Sequence, residues 1–161
     1  MTEASQLRSA AAAEALRDAA KELRLGYWAE QIDIQAALLG ALALCAEGKS
    51  AACIEGLKAS AMREDATEKH FVTPGPLVQA RELLAEMLLT QNKFANALRE
   101  YEAVMAKEPN RYRTLAGAMA AARGAGDSAK ARAMAVEVVK LGSDADSQRA
   151  TLQQAKQLAG S

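Results

Sequence analysis

The chain has few aromatic side chains, with one Trp, three Tyr and two Phe in 161 residues. That scarcity excludes a base-stacking platform for single strands and speaks against a wide aromatic pocket. Neither sign of charge is in excess, because 20 Lys and Arg are matched by 20 Asp and Glu. A nucleic-acid binder should carry a basic excess or stripe, so no nucleic-acid partner is expected. One histidine, His70, and two cysteines, Cys45 and Cys53, do not supply the three or four converging ligands of a zinc site. No metal and no cofactor are expected. The cysteines are read as buried free thiols on the two helices of one hairpin, because two of them do not make a disulfide scaffold. No stretch is read as reaching the length of a membrane span. The N-terminus, with Glu3 and no long apolar core, is a poor signal peptide. These readings give a cytoplasmic protein without a membrane partner.

What the chain has in quantity is small apolar side chains. Half of it is hydrophobic, much of that alanine, which suits close helix–helix contact. Good helix formers over 4–24 predict a first helix, ended by Gly26. A second runs from Tyr27 and Trp28 to about Ala46, with Trp28 anchoring the first helix against it. EGKS at 47–50 is a tight turn in which Gly48 takes a left-handed cap and Ser50 is a candidate cap for the helix at 51–63. The segment 67–76, TEKHFVTPGP, is a loop, since Pro74 and Pro76 disfavour helix before them and Gly75 permits a turn. Further helices are predicted at about 77–90, 94–107, 111–124, 128–140 and 146–159, the last polar enough to shield a final apolar face.

The turns repeat. Asn92 and Gly126 stand 34 residues apart, as do Ala97 and Ala131, which is the period of a helix–turn–helix repeat. At Leu84, Ala85, Leu88, Phe94, Ala97, Tyr101 and Pro109 the frame resembles the tetratricopeptide signature of large, small and aromatic positions closed by proline. Arg81 and Leu115 stand where that family usually has tryptophan, and Gly142 and Ser143 where the last proline would be. Two stretches, YWAEQIDIQ at 27–35 and EDATEKHFVTPGPLVQARELLAEMLL at 64–89, also resemble the C-terminal part of uncharacterised bacterial tetratricopeptide proteins, which usually carry proline in place of Phe71. The resemblance implies an all-α, right-handed α-solenoid of antiparallel helix pairs with about eight helices. It is read as one domain over 1–161. That domain comprises an N-terminal helix and the start of a second (1–33), a loose repeat (34–66), the 67–76 insertion, repeats at 78–111 and 112–145, and a capping helix at 146–159.

In that family the concave face, built from the first helix of each pair, binds peptides or helices. Carried over, its positions are Gln35 and Leu39, then Gln79, Glu82, Leu83 and Glu86, then Arg113, Ala120 and Arg123. His70 and Phe71 are candidate contacts on the loop. The reading is a non-catalytic scaffold for a protein or peptide partner. The alternative is a structural, regulatory or weakly self-associating module of a larger protein. An enzyme or metal site at His70, with Glu64, Asp65 and Glu68 nearby, ranks a distant third, because no nucleophile, second base or oxyanion donor is identifiable beside it.

Overall fold

A computed structural model describes residues 3–22, 26–67, 78–145 and 149–160, the side chains of 3–10 excepted. Among the described residues there are eight α-helices and no strand. They are α1 (Glu3–Glu22), α2 (Gly26–Ala46), α3 (Ser50–Asp65), α4 (Ala80–Thr90), α5 (Phe94–Lys107), α6 (Tyr112–Gly124), α7 (Ser128–Leu141) and α8 (Ala150–Ala159). They fall into two compact units, Met1–Ala80 and Arg81–Ser161.

Three of the connections close in the same way. Lys49 N–H donates to the Leu44 carbonyl at 2.9 Å, Lys93 to Leu88 at 2.9 Å, and Asp127 to Ala122 at 3.0 Å. The residue before each of these donors is left-handed: Gly48 at φ 77°, Asn92 at φ 57° and Gly126 at φ 81°. This is the Schellman closure, which satisfies carbonyls that the helix end leaves open. Asparagine is among the few non-glycine residues that tolerate the left-handed region, so Asn92 keeps the turn where the repeat frame expects glycine. Of the residues after these turns, Asp127 caps with its side chain, accepting from Lys130 N–H at 3.0 Å.

In the first unit α2 packs between α1 and α3. The α2–α3 pair is antiparallel, with Arg63 against Glu30 and Asp33 at one end and Cys45 joined to Cys53 at the other. Midway, a methyl group on Gly56 would lie 2.9 Å from Ala41 Cβ, so glycine sets how closely the helices approach. The second unit is built from larger side chains. Leu84, Leu88, Leu98, Tyr101 and Val104 are buried there, and α8 lays Leu152 and Ala155 on Leu115, Met119 and Val138 of α6 and α7.

Two pairings fix α5 against α6. A methyl group on Gly117 would overlap the hydroxyl end of the Tyr101 ring at Cζ, and one on Gly124 would overlap the Phe94 ring at Cδ1. Both the aromatics and the glycines are seven residues apart, two helical turns, and run in opposite directions. Each ring therefore sits in a notch left by a missing side chain.

Four sequence expectations are corrected. Cys45 and Cys53 are not free thiols: they form a disulfide with Cα atoms 5.1 Å apart, within the usual range for such a bond. Gly26 begins α2 rather than ending α1. Ser50 is already inside α3, and Lys49 stands at the cap position without a side-chain capping bond, its ammonium paired with Glu47 instead. Lastly, α2 is long and apolar enough, by length and composition, to cross a membrane, whereas no stretch was expected to reach that length. The 68–76 part of the predicted loop, with His70 and Phe71, lies outside the described residues.

Arg63 also gives a pH dependence. It holds the Glu30 carboxyl below the usual carboxylate range, chiefly by hydrogen bonding, against partial desolvation that raises it. A lowered carboxylate pKa stabilises the fold at neutral pH, and that contribution disappears as the pH falls through the lowered value. Both partners are partly exposed, so the loss is about 0.5 kcal/mol. The melting temperatures of wild type and Glu30→Gln are therefore expected to differ slightly at neutral pH and to converge in acid.

Candidate interaction groove

In the first unit a groove of about 820 Å³ opens between α1 and α2. Its α1 wall is Ala12, Ala13 and Leu16. On α2, Trp28, Ile32, Gln35 and Leu39 recur at steps of four, three and four, which puts them on one helical face. Ala36, Gly40 and Ala43 make the floor shallow in side chains, so another backbone has room to approach. The walls hold large apolar groups in water, with Leu16 61% and Leu39 55% exposed. Trp28, expected to anchor α1 on α2, lines this groove and meets Tyr27 edge-on.

The cause is visible in the sequence of α2. From Ile34 to Ala46 it carries no charged residue. Ile34, Leu38 and Ala41 are buried, which accounts for one face. A helix that is apolar all round is normally covered on all sides. Here α3 covers one side and α1 part of another.

The sequence-derived contacts divide clearly. Gln35 and Leu39 are both exposed and both line the groove. In the second unit, Glu86 and Arg113 are brought together, with Arg113 Nε and Nη2 donating to the two carboxylate oxygens at 2.6 and 2.7 Å. That bonding raises the Arg113 pKa. Glu82 is a different case, being 0% exposed. Thr114 Oγ1 donates to it at 2.5 Å and Arg111 Nη2 at 3.3 Å, so it ties α4 to the start of α6. Burial, and then the charges of Glu86 and Glu82, push the Tyr101 hydroxyl far above its ordinary pKa. Gln79 is buried, Leu83 and Ala120 are half-buried, and Arg123 stands exposed on α6 nearly three turns beyond Arg113. Among the described residues no group of three or more His, Cys, Asp or Glu could hold a metal ion.

No protein-family model matches the chain, and no curated protein matches its sequence. Two solved structures share its fold: MamA from residue 41 to its end from Desulfovibrio magneticus RS-1, and a MamA RS-1 ArsTM double mutant. Each aligns with a TM-score of 0.56 at 16% identity over 92% of this chain and 93% of the other. At that identity the likeness is one of fold. The chain is thus an all-helical repeat array at the level of architecture, which is what its turn spacing and helix pairing describe.

Proposed function

We propose that this protein is a non-catalytic interaction scaffold, and that the α1–α2 groove receives an amphipathic helix of a partner protein. The observation that carries this reading is the open side of α2, a water-facing apolar wall without a charge from Ile34 to Ala46. The chain itself supplies a precedent for the occupant. On α6 and α7 the apolar surface is filled by α8, whose Leu152 and Ala155 point inward while Gln153, Gln154 and Lys156 face out. A helix of that pattern suits a groove whose floor is alanine and glycine. A lipid bilayer is a poorer match, because Ile34, Leu38 and Ala41 are already buried, and α3, which meets Ala41 at Gly56, carries Glu55, Lys58 and Arg63.

The test uses a fluorescein-labelled peptide of residues 149–160 as the amphipathic probe, with Leu39→Lys and, as control, Leu141→Lys. Leu39→Lys is expected to weaken binding at least tenfold and the control to leave it unchanged. Equal binding to both variants, or none to the wild type, overturns the reading. So does a Leu39-dependent dimer in sedimentation, or Leu39-dependent co-sedimentation with phosphatidylcholine vesicles, each of which assigns the groove a different occupant.

A further inference from the structure

We infer that the Cys45–Cys53 bond is a redox latch on the first unit: two-electron reduction loosens the α2–α3 hairpin, and with it the groove, while the second unit stays folded. The inference rests on the groove reading only for its functional consequence. The latch itself stands on three observations.

The first is position. The bond joins the last turn of α2 to the first turn of α3 across a separation of eight residues. Ala43 and Leu44 of that α2 turn, with Glu47 just beyond it, line the groove. The second is the weakness of the surrounding core. The buried side chains of this hairpin larger than cysteine are Ile34, Leu38, Ile54 and Leu57, and the polar Ser60 is buried beside them. A small core depends more on a crosslink than a large one does. Gly40 adds to this, since glycine weakens the helix interior little more than one turn before the latch and no packing requires it there: a methyl group would meet nothing within 4 Å. The third is accessibility. Cys53 is fully buried, whereas Cys45 is only half-buried.

The chemistry follows from that asymmetry. A thiolate of a dithiol reductant attacks Cys45 Sγ, the S–S bond breaks, and Cys53 leaves as a thiolate that takes up a proton. The second thiolate of the reductant then attacks its own sulfur in the mixed disulfide and releases Cys45. Two electrons pass to the protein, which ends as two thiols, and the reductant ends as a cyclic disulfide. In a thiol-reducing compartment the latch is open, and in an oxidising one it is closed.

Hydrogen exchange of the full chain tests this directly, with and without dithiothreitol. Reduction is expected to speed exchange of the amides of residues 41–54 at least tenfold and to leave those of residues 115–138 within twofold. The Cys45→Ala/Cys53→Ala variant should show the fast pattern in both conditions, because it has no bond to open. Unchanged exchange at 41–54 in the reduced wild type overturns the latch, and so does loss of protection in both units together. The groove reading fails separately, in the oxidised protein, if the 149–160 peptide ignores Leu39→Lys.

Discussion

Replacing Gly117 by valine is expected to cost about 3 kcal/mol, at the upper end of what overpacking a core usually does. In an ordinary helix interior, glycine to alanine gains up to about 1 kcal/mol from backbone propensity alone. Here the sign reverses, because even a single methyl on Gly117 overlaps the hydroxyl end of the Tyr101 ring, and that ring is fully buried. The measurement is hydrogen exchange of α6 amides, backed by urea denaturation followed by helical circular dichroism. A cycle with Tyr101→Leu identifies the cause. Gly117→Ala should be destabilising in the wild-type background and close to neutral once the ring is gone, since residues in contact do not add independently. A Gly117→Val loss under about 1 kcal/mol would show that the ring can move aside, and the notch would then not set the α5–α6 distance.

Glu82→Ala is expected to be as damaging, at about 3 kcal/mol, for an electrostatic reason. The carboxylate is fully buried and receives hydrogen bonds from Thr114 and Arg111. Removing one partner of a buried pair leaves the other's polar groups short of a bond, and that loss dominates the cost. Arg111 keeps its bond to Glu108 at 2.9 Å, so replacing only the fully buried pair with apolar groups of similar size, Glu82→Leu with Thr114→Val, should recover most of the stability. If the double variant is no better than Glu82→Ala, packing rather than the lost hydrogen bonds is responsible. The same experiment guards against a false result in partner binding: a Glu82 variant that stops binding is first to be judged by its folding.

The helices were readable because several weak signals agreed. Gly48, Asn92 and Gly126 mark three left-handed turns, and the small residues Ala85, Ala97, Ala118 and Ala131, placed by the repeat frame, are all buried. The candidate site was legible only in part. Gln35 and Leu39 follow from helical periodicity, which fixes the face but does not say whether a neighbour covers it. Glu82 misled because an acid in the first turn of a helix ordinarily faces water. Its burial depends on Thr114 and Arg111, about one repeat further on, so its only signal in the sequence is a hydroxyl and a guanidinium at that offset. The disulfide had a signal too, since Cys45 and Cys53 lie equally far from Lys49 on either side of the hairpin turn. The glycine notches were hidden because Gly117 and Gly124 gain their meaning only from Tyr101 and Phe94, whose matching spacing runs the other way along α5.

Within each unit, nearly every helix packs on the one before or after it: α1 on α2, α2 on α3, α5 on α6, α6 on α7, α7 on α8, with α6 to α8 the weaker exception. Such nearest-neighbour order has a consequence for biogenesis. Little of the chain must wait for a distant segment before it can bury its apolar face, so loop-closure costs are low and folding is fast. A ribosome emitting this polypeptide would release the α2–α3 hairpin in a condition to assemble well before α8 exists. Synthesis and folding can then proceed in step, one helix behind the exit port.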